Sequence, residues 1–235
     1  MNLRLEHIYY ERNRKPLLKD ISTVIPGNSF TCLLGANGAG KTTLLSILTG
    51  ELKAAKGKIF IGDAEASGLA RREIAHYFAI IPQNAPTPQY LTVSELVELG
   101  LFEGRKGLWW RLNEMGRQRV GACIARCQLK LFANRKLEEL SGGERQRAWL
   151  AFGLVSQKDF LILDETLEGM DIFVKRSFFK LLKDVAAEGN GILLTSHDMS
   201  MVNEYADRVI ILKDGLVSYD GLPQDNLQEF LSPNG

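Results

Sequence analysis

The sequence contains no run of 18 apolar residues, the length that a membrane-spanning helix needs, so no transmembrane segment is predicted. Residues 1–7 also lack the apolar segment of a signal peptide. We therefore expect a cytoplasmic protein, which remains free to dock on a membrane partner. Internal repeats and low-complexity segments are absent too, and 235 residues suffice for one large domain with a proper core.

An excess of charge of one sign is also absent. The chain carries 29 Lys and Arg against 28 Asp and Glu, a net charge of +1, which argues against a nucleic-acid partner. A local basic cluster, Arg12, Arg14 and Lys15, is interpreted as solvated loop charge. The few cysteines fit reduced core thiols. Cys123 and Cys127 lie four residues apart on a predicted helix, but no His or third Cys is near, so packing is favoured over metal binding.

The chain does have a glycine-rich phosphate-binding loop. Residues 35–43 read GANGAGKTT and match G-x-x-x-x-G-K-[ST] between a short apolar strand and a helical pattern. Glycines let backbone N–H groups point at phosphate oxygens, and the start of the helix adds its positive end. Lys41 supplies a charge for the β- and γ-phosphates, and Thr42 is placed to bind Mg²⁺. The candidate nucleotide ligands are Gly35, Ala36, Asn37, Gly38, Ala39, Gly40, Lys41, Thr42 and Thr43.

A second part of the site follows a predicted buried strand at 160–163. Asp164 and Glu165 come at its carboxyl end, where α/β sheets bind ligands. Asp164 suits the Mg²⁺ shell, and Glu165 suits a general base that activates the attacking water. A strand that merely ends in solvated acids is the alternative, but the upstream phosphate-binding loop favours the functional interpretation.

A third motif reads LSGGERQR, at residues 140–147. Ser141 is predicted to cap a helix, and Glu144 completes a capping box. Gly142 and Gly143 leave that helix end sterically open, which makes it an anion site. Because one loop already cradles the phosphates of a nucleotide, a second cradle in the same chain requires an explanation.

The predicted elements indicate an α/β fold, with a P-loop NTPase core, an N-terminal antiparallel β subdomain and an inserted α-helical subdomain. Residues 3–10 and 17–24 are predicted as antiparallel strands, and Asp214-Gly215 as a hairpin turn. We predict a single domain over 1–235, divided into a nucleotide-binding core at 1–83 and 141–235 and a helical insertion at 84–140.

These motifs together resemble a known family. The phosphate-binding loop, the Ser141 motif, Asp164-Glu165 and His197 have the order and spacing of the ATP-binding-cassette ATPases, and the resemblance covers residues 3–221. In that family two cassettes pack head to tail, and each ATP lies between one chain's P-loop and the other chain's signature serine and glycines. The resemblance implies ATP and Mg²⁺ as ligands and a second copy of the chain as partner, whose nucleotide Ser141, Gly142 and Gly143 would contact.

Further roles are implied by the same resemblance. Gln83 resembles the glutamine that senses Mg²⁺ and connects to the membrane subunit. His197 resembles the switch histidine at the γ-phosphate, and Asp171 the aspartate that closes the loop crossing the dimer interface. The position of the adenine-stacking aromatic falls at Arg12, with Tyr10 two residues earlier. Either side chain is able to hold the base, Arg12 through its guanidinium plane and Tyr10 through its ring.

A finer resemblance points to importers of iron-siderophores, haem and cobalamin. It is carried by PQNA at 82–85, TVSELV at 92–97, RQRAW at 145–149 and Trp109-Trp110. Three departures from the family pattern stand out. Residues 167–170, LEGM, are unlike the family's usual small, polar loop. Glu144 occupies the usual position of a glutamine, so its carboxylate is expected to turn away from ATP into the helix cap. Thr166 replaces the usual proline, which leaves ATP binding intact and bears on turnover.

The expected function is therefore an ATPase subunit of a transporter, peripheral on the inner face of the cell membrane. Its partners would be a second cassette, membrane permease subunits and, indirectly, an extracytoplasmic substrate-binding protein. Three alternatives remain. A soluble cassette protein acting on ribosomes or DNA would usually carry two cassettes, a coiled-coil insertion or basic arms. A small-molecule kinase would leave the Ser141 motif without a role, and an exporter subunit would use the same chemistry.

Overall fold

The computed structural model describes residues 1–83, 85–102, 114–164, 167 and 169–231. Its strands are β1 (Asn2–Arg12), β2 (Lys15–Pro26), β3 (Phe30–Gly35), β4 (Lys56–Ile61), β5 (Ala64–Glu65), β6 (Phe78–Ile81), β7 (Phe160–Leu163), β8 (Gly191–Thr195), β9 (Arg208–Lys213) and β10 (Leu216–Gly221). Its helices are α1 (Lys41–Leu48), α2 (Arg71–Ile74), α3 (Val93–Leu99), α4 (Glu114–Arg126), α5 (Gly142–Val155), α6 (Ile172–Ala187) and α7 (Met199–Tyr205). Among the described residues, no helix combines the length and apolarity that crossing a membrane would require.

Two sheets organise these elements. An antiparallel sheet has the strand order β2-β1-β4-β5, and a six-stranded sheet has the order β10-β9-β3-β8-β7-β6. In the second sheet β6, β7, β8, β3 and β9 run parallel, and β10 returns antiparallel through the turn at Asp214-Gly215. Both turn residues have positive φ, 51° and 79°, as the predicted hairpin turn requires. The predicted α/β class with an antiparallel N-terminal sheet is confirmed.

The six-stranded sheet separates two apolar clusters, and its strands feed both. On β3, Phe30, Cys32 and Leu34 point into a cluster shared with α3, α4, α5, α6 and α7. Leu33, on the opposite face of β3, joins a second cluster formed with α1 and the antiparallel sheet. A strand buried on both faces is largely apolar, which explains the run that starts at residue 30, where Thr31 is the one polar side chain. The carboxyl end of β3 is thereby fixed from both sides.

The described residues between β6 and β7 are largely helical. Thr92 caps α3 as predicted, because its Oγ1 accepts from the Glu95 N–H at 3.2 Å while the Glu95 carboxylate accepts from the Thr92 N–H at 2.8 Å. Cys127 at the end of α4 is fully buried, and burial raises the pKa of its thiol to about 12. It therefore packs as a protonated core side chain, as the sequence predicted. The boundaries of the predicted helical insertion stay a prediction.

Candidate active site

The phosphate-binding loop connects the end of β3 to the start of α1. Gly40 stands at the N-cap of α1 with φ 105°, a left-handed conformation that favours glycine. A Cβ on Gly40 would meet Leu18 Cδ2 at 2.6 Å, so β2 packs directly against the loop. The glycine is therefore required twice, by its backbone angle and by the close approach of the neighbouring strand.

Lys41 lies inside this loop and is only 5% exposed. Its Nζ donates to the carbonyl oxygens of Gly35 at 2.9 Å and Ala36 at 3.4 Å. The same Nζ lies 3.4 Å from Nε2 of His197, which follows β8 in the sheet. Because an ammonium group offers only donors, Nε2 is the acceptor in this contact. The structure thus brings the predicted lysine and switch histidine together, although 156 residues separate them in the chain.

A cavity of about 830 Å³ opens above the loop. One wall is the loop and α1, and the opposite wall is the turn between β1 and β2. Its lining residues are Arg12, Asn13, Lys15, Pro16, Leu17, Asn37, Gly38, Gly40, Lys41, Thr42, Thr43 and Gln83. Arg12 and Lys15 are exposed, in agreement with their interpretation as solvated charge, and they also form part of this wall.

The two candidates for contact with the base differ in position. Arg12 lines the cavity, whereas Tyr10 packs against the apolar cluster of the antiparallel sheet. Tyr10 pairs with Leu18 in the β1–β2 ladder, which turns its ring toward that cluster. Tyr10 is not among the described residues that line the cavity, so the geometry favours Arg12 of the two alternatives.

Oxygen ligands for a cation meet beside Thr42, which lines the same cavity. The Thr42 hydroxyl donates to Asp164 Oδ2 at 3.3 Å, and the Thr195 hydroxyl donates to Asp164 Oδ1 at 2.7 Å. Hydroxyl and carboxylate oxygens are the ligands that Mg²⁺ accepts, so this pair fits the predicted metal. Among the described residues, no cluster of three or more His, Cys, Asp or Glu could hold a metal ion. Phosphate oxygens and water would therefore supply the other ligands.

Some predicted residues lie outside the part of the chain that the structure describes. Glu165, the proposed base, and Thr166 come directly after Asp164 but are not among the described residues. Asn84 and Trp109-Trp110 lie outside them as well. The structure does give the strand that precedes the proposed base, since β7 pairs in parallel with β6 and β8. The role of Glu165 stays a prediction.

The Ser141 motif forms the predicted helix cap. Ser141 Oγ accepts from the Glu144 N–H at 3.3 Å and donates to Glu144 Oε2 at 2.8 Å, while the Ser141 N–H donates to that carboxylate at 2.8 Å. The hydrogen bonds from Ser141 hold the pKa of the Glu144 carboxyl below its ordinary value. Glu144 therefore turns into the cap, as the sequence predicted.

The two glycines of this motif have different surroundings. A Cβ on Gly142 would meet nothing within 4 Å, whereas a Cβ on Gly143 would lie 2.6 Å from Val174 Cγ1 on α6. Gly142 thus leaves the helix end open, and Gly143 permits the close packing of α5 on α6. None of Ser141, Gly142 and Gly143 is among the described residues that line the P-loop cavity. The second cradle therefore lies outside the described lining of that cavity.

Several supporting residues were not predicted from the sequence. Thr195 orients Asp164, and Asp198 caps α7 by accepting from the Met201 N–H at 3.3 Å. Asp198 also pairs with Lys175 at 3.2 Å, which ties the segment containing His197 to α6. Burial acts to raise the pKa of the Asp198 carboxyl, but hydrogen bonds from Ser200, Met201 and Lys175 bring it below its ordinary value. The sequence signal that could have indicated them is their position: Thr195 ends the strand β8, and Asp198 follows three residues later.

Asp171, the other residue implied by the resemblance, has a local role in this structure. It stands at the N-cap of α6, and its carboxylate accepts from the Phe173 N–H at 2.8 Å. Ile172 and Phe173 beside it are 47% and 78% exposed. Two exposed apolar side chains at one helix start leave an unpartnered surface next to the loop predicted to cross a dimer interface.

Comparisons with known proteins agree with this geometry. The family model described as ABC transporter matches residues 18–168. The petrobactin import ATP-binding protein FpuC of Bacillus anthracis is 31% identical over 96% of this chain and 83% of its own. The hemin import ATP-binding protein HmuV of Shewanella denitrificans is 32% identical over 96% of this chain and 89% of its own.

Solved structures extend the likeness to three dimensions. cbiO1 from Clostridium perfringens, part of the ABC transporter complex cbiONQ, has a TM-score of 0.87 at 27% identity, covering 97% of this chain and 90% of its own. The dimeric ATP-binding cassette MJ0796 bound to ADP and Pi has a TM-score of 0.79 at 26% identity, covering 94% of this chain and 99% of its own. The chain belongs to the ATP-binding-cassette family and is an ATP-binding, ATP-hydrolysing transporter subunit.

Proposed function

We propose that this chain powers the import of a metal chelate, such as an iron-siderophore, haem or cobalamin, through a separate membrane permease. The relatives named for petrobactin and hemin import support this cargo class, because each aligns over nearly all of this chain. The chain would sit peripherally on the inner face of the cell membrane. An extracytoplasmic substrate-binding protein would deliver the cargo without touching the cassette.

The observation that carries the proposal is the second phosphate cradle. Ser141 and Gly142 present an open helix end that does not line the P-loop cavity of their own chain. A transporter cassette that closes as a dimer uses both cradles, since each nucleotide lies between one copy's P-loop and the other copy's helix end. The dimeric MJ0796 cassette supports this arrangement. A small-molecule kinase would leave the second cradle unused.

Within each site, the residues of this chain have separate chemical roles. Lys41 and the loop N–H groups hold the β- and γ-phosphates, and His197 beside Lys41 contacts the γ-phosphate. Thr42 and Asp164, with Gln83 at the cavity wall, would hold Mg²⁺, which supplies positive charge to the phosphate oxygens. Glu165 takes a proton from water, whose oxygen attacks the γ-phosphorus. The bond to the β-phosphate oxygen breaks, and ADP and phosphate leave.

The sharpest test is recovery of the partner. A tagged Glu165→Gln chain, which would bind but not hydrolyse ATP, is captured from detergent-solubilised membranes with Mg²⁺ and ATP. We expect a multi-span permease in the eluate, identified by mass spectrometry, and its sequence would narrow the cargo and the direction of transport. The matched control is Lys41→Ala in the same background, which should lose nucleotide-dependent capture. Recovery of only ribosomes, nucleic acid or soluble partners would reject the transporter proposal and favour a soluble cassette protein.

A further inference from the structure

A second cavity, of about 370 Å³, lies between the end of α1, the antiparallel sheet and α2. None of its described lining residues also lines the nucleotide cavity. None of them holds phosphate, Mg²⁺ or the attacking water in the proposed hydrolysis either. The cavity is therefore a feature of the fold that ATP hydrolysis leaves unexplained.

The walls of this cavity are held in place by the backbone. The chain leaves α1 through residues 50–55, and the Ala55 N–H donates to the Tyr9 carbonyl on β1 at 2.8 Å. Gly50 has a φ of 72°, and a Cβ there would lie 2.9 Å from Ile74 Cδ1, so α2 packs closely on this segment. The cavity is therefore already formed in the absence of a ligand.

The interior of the cavity is apolar. Four isoleucines line it, each at most 8% exposed: Ile8, Ile47, Ile59 and Ile74. An apolar cavity of about 150 Å³ holds benzene, so this larger one has room for a medium-length alkyl chain. Small-molecule sites in proteins share this range of volume and this kind of lining.

The mouth of the cavity is charged. Three of its lining residues are exposed and ionic, namely Glu51, Lys53 and Arg71. Glu51 Oε1 pairs with Arg71 Nη2 at 3.2 Å, which joins the segment after α1 to α2. One carboxylate thus faces two cations, and the mouth keeps a net positive charge. Because Arg71 offers five N–H donors, it is able to bind a second carboxylate beside Glu51.

We propose that this cavity binds a small amphipathic carboxylate. Its apolar body would contact the four isoleucines, and its carboxylate would pair with Arg71 and Lys53 at the mouth. The inference does not depend on the cargo, on the permease or on hydrolysis, because the cavity and the nucleotide site have no described lining residue in common.

The test follows the isoleucine methyl groups of the purified full-length chain by NMR during titration with octanoate, below the concentration at which octanoate forms micelles. We expect saturable shifts at Ile8, Ile47, Ile59 and Ile74. The methyl group of Ile211, which is buried in the other apolar cluster, should shift little. Hexanoate should bind about fifteenfold more weakly, because it buries two methylene groups fewer.

A filled cavity provides the first variant. Ala54 lines the cavity and packs against its apolar cluster, so Ala54→Leu should weaken octanoate binding by at least about tenfold. The matched control is Ala55→Leu, at an exposed neighbouring residue that is not among the described lining residues, and it should change the dissociation constant by less than about twofold. Thermal unfolding checks that both variants are folded.

A second pair of variants tests the charge at the mouth. The unaltered chain should bind octanoate about threefold more tightly than octanol, and Arg71→Gln should remove that preference. Arg72→Gln, at an exposed residue of α2 that is not among the described lining residues, should keep it.

Three results would overturn the inference while leaving the ATPase intact. They are the absence of saturable shifts at the four isoleucines, an equal effect of Ala54→Leu and Ala55→Leu, and an equal affinity of the unaltered chain for octanoate and octanol. Competition is the last check. ATP in EDTA should leave octanoate binding within about twofold, whereas displacement by ATP would place octanoate in the nucleotide cavity and reject the second site.

Discussion

At the scale of single residues, the contact between Thr195 and Asp164 leads to a testable prediction about metal binding. Thr195 is 1% exposed, and its hydroxyl holds Asp164 Oδ1 at 2.7 Å, leaving Oδ2 toward Thr42. Thr195→Val keeps the shape of the side chain and removes this hydrogen bond. We expect the Mg²⁺ concentration for half-maximal ATP hydrolysis to rise about tenfold, as for other residues that orient metal ligands. ATP binding in EDTA should not change.

The control for this variant lies on the neighbouring strand. Thr31 on β3 is fully buried, and its hydroxyl has no hydrogen-bond partner among the described residues. Thr31→Val should therefore leave the Mg²⁺ dependence unchanged and keep or raise thermal stability, because it removes an unsatisfied buried polar group. An equal effect of both variants on the Mg²⁺ dependence would reject the orienting role of Thr195.

Residues in contiguous motifs were predictable, and their distant partners were not. The caps at Thr92 and Ser141 were read from positions three residues apart, because a capping box is local. The contact of Lys41 with His197 spans 156 residues and depends on β3 and β8 being neighbours in the sheet. Strand order is a property of the whole chain, so neither this contact nor that of Thr195 with Asp164 follows from a local pattern.

At the scale of elements, the two glycines at the start of α5 are expected to have different roles, Gly143 in helix packing and Gly142 in ligand binding. Gly143→Ala would bring a Cβ to 2.6 Å from Val174 Cγ1, so the Val174 side chain or the two helices must shift. We expect a loss of about 1–3 kcal/mol of unfolding free energy, the usual cost of overpacking. Gly142→Ala meets nothing within 4 Å and should unfold at the same temperature as the unaltered chain.

For ligand binding, we expect Gly142→Ala to be the more damaging of the two variants. In a Glu165→Gln background, Gly142→Ala places a methyl group at the open helix end and should weaken ATP-dependent dimer formation, measured by analytical ultracentrifugation. If Gly142→Ala reduced stability while dimer formation was unaffected, the open end of α5 would have no role as a phosphate cradle.

The short helix α7 depends on a charged cap whose contribution changes with pH. Asp198 accepts from Met201 and Ser200 and pairs with Lys175, and its pKa lies below the ordinary 3.8. A carboxyl with a depressed pKa stabilises the fold above its unfolded pKa, and this contribution is lost as pH falls through the folded pKa. Asp198→Asn keeps an oxygen that can cap the helix but removes the charge and the ion pair with Lys175. We expect it to lower the unfolding midpoint at pH 7 by about 2–4 °C.

That difference should shrink as pH falls below 3.8, where the unaltered chain also loses the charge. Asp184→Asn, on an exposed position of α6, is the control and should have little effect at either pH. A difference for Asp198→Asn that persisted in acid would point to packing rather than charge. The sequence did not predict α7, since a seven-residue segment of mixed polarity carries too weak a periodic signal.

At the scale of the whole molecule, the proposed dimer predicts complementation between two inactive chains. Lys41→Ala would disable the P-loop side of a site, and Ser141→Arg would block the helix end. In a mixed dimer one site combines the intact P-loop of the Ser141→Arg chain with the intact cradle of the Lys41→Ala chain. We expect the mixture to regain ATP hydrolysis that neither chain has alone. Absence of hydrolysis in a mixture shown to form dimers would contradict sites shared between two copies.

The architecture was largely predictable because it repeats one pattern. Buried strands such as β7 and β8 are apolar on both faces, and each is followed by a turn and a helix, which indicates a parallel sheet. The different environments of Gly142 and Gly143 were not predictable, because they depend on the distance between α5 and α6. The packing of Tyr10 away from the cavity likewise depends on the register of β1 against β2.

The position of β3 between two apolar clusters has a consequence for how nucleotide leaves. Its residues are all buried, and its amides pair with β8 and β9, so they should exchange hydrogen with solvent only when the whole core opens. The hairpin tip at 12–15 is exposed and belongs to the terminal pair of strands in its sheet. A bound nucleotide would thus reach from protected backbone at its phosphates to exposed backbone at its base, and we expect its release to begin at the base rather than at the phosphates.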